Sequence, residues 1–316
     1  MPRAQGRLRA AVNAAAVLSV VSLLLCTGAC GRKELRAEPA PVTPVSVAPA
    51  AVPPPAPADA SSREPPPDMT WIPGGSFIMG ADAGGQEDEH PAHTVTLAPF
   101  YLDRTEVTNA QWDECVAAQA CPPKADNVRA AHPDFNGPSQ PVSGVSWDEA
   151  RAYCAWRGKR LPREAEFERA ARDSDGRRFP WGDTPPTHER TVFSTARPDD
   201  AGAHPTGRGP YGNDDLAGNV WEWMEDEYDP YAYRRPDAGG GWPGACVEIM
   251  AAQDELRRDG KQGFTGSNPI PDECEHSIRG GAYNYDADGL RSTNRVHHPG
   301  RYRIPMLGLR CAKNAP

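Results

Sequence analysis

The sequence predicts a single loop-rich globular domain, built from both strands and helices, behind an export signal and a tether. Three observations lead there. Of the 316 residues, the Pro- and Ala-rich start leaves about 250 for folding, the size of one domain with a proper core. Between Met69 and Arg172, short alternating runs give way to segments with helical spacing and start signals. From Asp173 onward Gly, Pro, Asn and Asp are frequent and clean periodicity is rare. Aromatics nevertheless recur there, in "FPWG", "NVWEWMEDEYDPYAYRR" and "GFTG", which argues for folded loops rather than disorder.

Met1 to Cys30 combine a basic start (Arg3, Arg7, Arg9), the apolar run "AAVNAAAVLSVVSLLL" and small residues before a cysteine, the layout of a secretory signal. The run is short for a spanning helix, which needs about 20 residues. "TGAC" is similar to a bacterial lipobox, with Thr27 in place of the usual leucine. Residues 1–30 are therefore expected to be a lipoprotein signal peptide cut before Cys30, whose thiol then carries lipid. Residues 31–67 are rich in Pro and Ala without apolar periodicity, too poor in buriable surface to offset their ordering entropy. They are expected to form a disordered tether, with the folded domain at 68–316.

Within that domain "MTWIPGGSFIMG" reads as two strands of a hairpin around a Pro-Gly-Gly turn, and "HTVTLAPFYLDRTEVT" as a further strand. Thr108 is a good N-cap for "NAQWDECVAAQ", a helix with Trp112, Val116 and Ala117 at core spacing. "VSWDEARAYCAWRG" has a stronger start, with Ser146 and Glu149 as a capping box and Gly158 as the stop. That helix is expected to bury Trp147, Ala150 and Cys154. "LPREAEFERAAR" follows as a third helix, with Pro162 near its first turn.

Acidic residues outnumber basic ones, 43 to 34, for a net charge of −9. This gives no electrostatic footprint for nucleic acid, so a protein, peptide or small-molecule partner is expected. Beyond Cys26 and Cys30 the cysteines are Cys115, Cys121, Cys154, Cys246, Cys274 and Cys311. In an exported domain an even set predicts disulfides, and Cys115 with Cys121 suits a local staple, while counting alone leaves the other pairings open. Metal binding by these cysteines is the weaker reading, since no CxxC or CxxH pairing occurs among them.

"WIPGGSFIMG", "FYLDRTEVTNAQW", "PVSGVSWDEARAYCAWRGKRLPREAEFERAAR", "FPWG", "GNVWEW", "RGGAY" and "GLRCA" stand in the order seen in the formylglycine-generating enzyme (sulfatase-modifying factor) family. The chain resembles that family over residues 69 to 313. The resemblance implies a single α+β domain with much irregular structure, related to C-type-lectin-like folds. Founding members are copper-dependent oxidases that use O2 to convert a substrate cysteine to formylglycine, with copper on two thiolates of the strand that starts "RGG". Carried onto this chain, the thiolate positions fall on Tyr285 and Leu290, and an active-site serine on Ala282. Leucine has no ligand atom and a phenol is a poor ligand for Cu(I), so copper and the thiol oxidase are not expected. The family pairing implies a Cys154–Cys311 disulfide and leaves Cys246 and Cys274 for each other.

The resemblance also implies a structural Ca²⁺ site in "NDDLAGNVWEW". Asp215 and Glu222 would give carboxylate oxygens, and Gly218 and Val220 backbone carbonyls, the hard donors that Ca²⁺ prefers. A second family calcium site, near Thr191 to Ala203, is not carried over. His90, His93, His297 and His298 invite a redox-metal reading, but loop histidines of this kind are expected to be structural. Tyr283, Tyr285, Asp286, Arg291 and Arg295 are candidates for a groove, together with Arg301, Tyr302 and Arg303, although the arginines with Tyr302 read equally as scaffold packing, and Asn284 joins the tyrosines and Asp286 as an enzyme candidate. The expected function is a lipid-anchored envelope protein that binds a peptide or protein, similar to family lipoproteins of gliding and secretion machinery. The alternative is a periplasmic maturation enzyme of non-thiol oxidative chemistry, as in a relative from pyoverdine maturation.

Overall fold

Pro99 decides how the first strands pair. The computed structural model describes residues 64–235, 244–258 and 273–316; the expected signal peptide with Cys30, the tether to residue 63 and "GFTG" lie outside them. Proline cannot donate to a ladder and interrupts the run expected as one strand. It leaves β3 (His93–Leu97) and β4 (Phe100–Asp103) in different sheets. The expected hairpin is lost with it. β1 (Met69–Ile72) pairs antiparallel with β4, Met69 facing Asp103, while β2 (Gly75–Met79) pairs antiparallel with β3, Gly75 facing Leu97.

One edge strand and a third sheet complete the frame. β9 (Ala312–Asn314) lies antiparallel on the other edge of β4, so the end of the domain closes on its start. A four-stranded sheet runs in the order β7 (Val296–His298), β6 (His276–Arg279), β5 (Trp221–Glu227), β8 (Leu307–Gly308). Its pairs are antiparallel except β5 with β8. Between Trp223 and Glu227 the β5–β6 register shifts, an irregularity that re-aims the side chains at the end of β5.

The helices begin where their caps stand. Thr108 Oγ1 accepts from Gln111 N at 3.3 Å and Gln111 Oε1 from Thr108 N at 2.9 Å, starting α1 (Asn109–Ala117). Trp112 and Cys115 are its fully buried residues; Val116 is only half-buried and Ala117 is exposed, a correction to the expected core face. A short α2 spans Asp126–Ala131. Ser146 and Glu149 cap α3 (Trp147–Trp156) reciprocally, Ser146 N reaching Glu149 Oε2 at 2.8 Å, and Gly158 at φ 68° stands just past its end. Ala150 and Cys154 are buried as expected, but Trp147 is half-buried, its indole N–H held by Met224 O at 2.7 Å. α4 (Glu164–Arg172) starts after Pro162, and α5 (Cys246–Arg258) follows the four-stranded sheet's first strand.

Trp112, Trp223, Leu161, Ile278 and Leu309 build the main core around the Cys154–Cys311 disulfide. Cys115–Cys121 and Cys246–Cys274 are the other two disulfides. α4 is buried along its whole length although most of its residues are charged. Among the described residues no helix is long and apolar enough to cross a membrane.

Candidate functional site

The "RGG" strand ends in two glycines at positive φ, and the packing of Leu290 against the second leaves no room for a side chain there. Gly281 sits at φ 81°, and a Cβ on it would lie 2.7 Å from Leu290 Cδ2. The chain turns, and a short 3-10 turn (Ala287–Leu290) returns Leu290 beneath the glycines. Leu290 is fully buried with Phe179 and Ala217, and Ala282 is fully buried in the main core. Tyr285 points the other way. It is 38% exposed and stands edge-on to Trp221, ring centroids 5.2 Å apart.

Tyr285 and Val296 form the shared wall of two cavities. The first, about 360 Å³, is walled by Trp221, Ile278, Ile304, Met306 and Leu307, with Glu275, His297 and His298 at its polar side. The second, about 810 Å³, is polar, lined by Gln86, Ser194, Asn284, Asp286, Arg291 and Asn294 among others. Asp286 is committed locally, its Oδ1 accepting from Asp288 N at 3.1 Å and Gly289 N at 3.2 Å. Arg291 is tied to Glu89 and to Asp288 O.

Two expected groove residues are elsewhere. Tyr283 is buried edge-on against Phe135, centroids 5.3 Å apart, in a small cluster with Val192. Arg295 is fully buried, donating from Nε to Glu164 Oε1 at 2.6 Å and from Nη2 to Glu164 Oε2 at 2.8 Å, between the rings of Tyr228 and Tyr233. A buried guanidinium with a bidentate partner is framework. The same network explains why α4 is charged yet buried. Glu164 and Glu168 also take Arg279, and Glu168 takes Arg172. Sequence reasoning missed this set, whose one visible signal is an arginine at a core-facing strand position. Arg301 pairs with Glu273 and Arg303 with Glu149 at the surface. Tyr302 is exposed beside His298, centroids 5.4 Å apart.

The four histidines do not converge. His90 meets Gly84 O, His93 packs on Tyr233, and His297 stacks on Tyr228 while its Nδ1 meets Glu275 Oε2. Among the described residues one group of three metal-competent side chains comes together, Glu227 with Cys246 and Cys274.

In "NDDLAGNVWEW" the turn is set by Asp215 at φ 57°, Gly218 at φ 89° and Asn219 at φ 60°. A Cβ on Gly218 would fall 2.2 Å from Thr191 Oγ1, so only glycine fits. Glu222 is fully buried with both carboxylate oxygens on Arg310, each at 2.7 Å. Asp215 accepts from Gly202 N, and the neighbouring Glu106 accepts at Oε1 from Asn219 Nδ2 at 3.1 Å. Glu106 Oε2 is buried without a hydrogen-bond partner. Three buried carboxyls thus face one guanidinium. Burial first, then for Glu106 the neighbouring Asp215, pushes all three carboxyls above their ordinary values. Excess buried negative charge, hard oxygen donors and an orphaned oxygen fit a hard dication.

The family described as "Sulfatase-modifying factor enzyme 1-like domain" matches residues 55–315. A formylglycine-generating enzyme of Streptomyces coelicolor is 37% identical over 248 residues, covering 56% of this chain and 77% of its own. A hercynine oxygenase of Mycolicibacterium smegmatis is 33% identical over 195 residues, 51% of this chain and 46% of that one. An inactive C-alpha-formylglycine-generating enzyme 2 of Mus musculus is 34% identical over 216 residues, 52% and 70% of the two chains. The chain spans about half the length of the hercynine oxygenases it matches, 46% and 56%. The structure of PvdO from Pseudomonas aeruginosa superposes with a TM-score of 0.58 at 25% identity, over 78% of this chain and 94% of that one. With its α+β, loop-rich fold and the ordered motifs from "WIPGG" to "GLRCA", the chain belongs to the sulfatase-modifying factor enzyme 1-like family.

Proposed function

We propose that this protein is a binding module of the cell envelope, anchored through lipid on Cys30, that holds an extended polypeptide segment in the two cavities meeting at Tyr285. The observation behind this is the pair of residues at the family's thiolate positions. One is a buried leucine packed on Phe179, the other an exposed phenol, and the six cysteines of the domain stand in three disulfides. No thiolate pair is available for Cu(I) in that state. The apolar cavity beside Trp221 and Met306 suits one apolar side chain, and the polar cavity suits the flanking backbone. Similarity to a relative named as inactive supports the same reading.

The test is peptide selection from a displayed random library on the purified full chain, repeated with Tyr285→Ala. A selected peptide should lose about tenfold or more in affinity with the variant, as for an interface anchor. Undiminished binding, or copper-dependent oxidation of a cysteine peptide by the wild type, removes the proposal. A second reading, a maturation enzyme of non-thiol oxidative chemistry, is favoured by the likeness to PvdO and by the half-exposed Tyr285 phenol at the cavity wall. Under it, O2 uptake with a candidate substrate falls in Tyr285→Phe.

Calcium belongs to this reading as a structural ion. Asp215, Glu222 and the carbonyls of Gly218 and Val220 would hold it, with Glu106 alongside. It would neutralise the excess charge there and fix the turn that leads into Trp221 of the cavity wall.

A further inference from the structure

We infer that Glu227, Cys246 and Cys274 form a redox-gated metal site: once a dithiol reductant opens the Cys246–Cys274 disulfide, the two thiolates and the Glu227 carboxylate hold a divalent ion of the zinc type. The donor atoms of the three residues already lie within 4.8 Å of one another. That is the spread of ligands around one small cation, and two sulfurs with a carboxylate oxygen are a donor set zinc accepts, leaving a fourth position for water.

The site is built from separate elements. Glu227 is the last residue of β5, beyond the register shift, where the strand's side chains are re-aimed. Its Oε2 is buried and has no hydrogen-bond partner. A buried carboxylate oxygen left unmatched is costly, so the arrangement calls for a partner that the disulfide form lacks. Cys274 stands just before β6, which pairs with β5, and Cys246 is the first residue of the 13-residue α5. A helix N-terminus favours the thiolate over the thiol.

Access selects this disulfide. Cys115, Cys121, Cys154 and Cys311 are buried, whereas Cys274 is exposed and Cys246 half-buried. Exchange starts with thiolate attack on a reachable sulfur, so a dithiol meets Cys274 first. The chemistry balances: the dithiol gives two electrons and two protons, becoming a disulfide, while Cys246 and Cys274 become thiols. Metal entry then displaces the two thiol protons to solvent.

The test uses the full chain and Co²⁺ as a spectroscopic substitute for zinc. Limiting dithiol is added, and peptide mass mapping establishes that Cys246 and Cys274 are reduced while the other two disulfides persist. The reduced protein should then bind one Co²⁺ with a thiolate-to-cobalt charge-transfer band, absent from the oxidised protein and from Cys246→Ser. Glu227→Gln, whose oxidised fold is checked by circular dichroism, should weaken Co²⁺ binding about tenfold or more. Absence of the band after mapped reduction overturns the proposal. So does equal binding by the oxidised protein, or a Glu227→Gln variant that binds as tightly as wild type, which would reduce the site to a bare dithiol.

Discussion

Arg279, Arg295 and Arg310 are fully buried, and at the scale of single residues they set the charge balance of the domain. For Glu164, burial alone would raise the carboxyl, but Arg295 and Arg279 outweigh it and hold the group below its ordinary 4.5. A carboxyl held low stabilises the fold above its unfolded value and loses that contribution as pH falls through the lower folded value, so this part of stability fades only below about pH 4.5. Arg295→Met leaves Glu164 only Ser277 Oγ at 3.1 Å and the longer Arg279 contact at 3.3 Å, and should cost about 3 kcal/mol, read by urea unfolding at neutral pH. Adding Glu164→Gln should recover part of it, and a cheap single variant would mean that Arg279 alone balances Glu164. Glu106, Asp215 and Glu222 have the opposite sign, being raised. Their proton-linked stabilisation is present below their ordinary values and lost as pH rises through the raised folded ones. Calcium would take the proton's place, so chelation should lower Tm at pH 8 and have little effect at pH 5. A Tm at pH 8 indifferent to calcium removes the proposed ion.

At the scale of elements, the legible part of the sequence is the part that local chemistry decides. The caps at Thr108 and Ser146 and the stop at Gly158 can be read directly, because each satisfies backbone groups within a few residues. Strand partners cannot, since the Pro99 break sends β3 and β4 to sheets whose other strands are chosen by tertiary packing. For the candidate site, motif register finds Tyr285 and Leu290, whereas Arg295 stays undecided between groove and framework, because nothing local says that a charged residue will meet Glu164 from 131 positions away. Where a local rule and a long-range contact coincide, substitution is sharpest. Gly281→Ala demands a positive φ of a residue that avoids it and puts a methyl against Leu290. It should cost about 2–4 kcal/mol, the sum of backbone strain and overpacking. Leu290→Ala in the same chain should relieve only the packing part. A Gly281→Ala protein as stable as wild type by thermal melting would mean that the turn can relax.

At the scale of the whole molecule, long irregular connections leave the chain with much conformational freedom to lose, and the disulfides restrict that freedom unequally. Cys154–Cys311 spans 157 residues, Cys246–Cys274 spans 28 and Cys115–Cys121 only 6. Loop-closure entropy then assigns them about 5, about 4 and about 2 kcal/mol. The longest and shortest bridges can be set against each other directly, because Cys115 and Cys154 are both fully buried and alanine pairs remove the same sulfur atoms from each core. The Cys154→Ala, Cys311→Ala protein should therefore unfold about 3 kcal/mol more easily in urea than Cys115→Ala, Cys121→Ala. The long bridge also joins α3 to the residue just before β9, the strand that closes the domain on β4, so its loss should loosen the β1–β4–β9 sheet. Hydrogen exchange at Tyr101 and Leu102 reads that directly. Equal costs for the two pairs would mean that the unfolded chain keeps its ends together without the bridge, and that packing between β9 and β4, rather than the sulfur link, holds the domain closed.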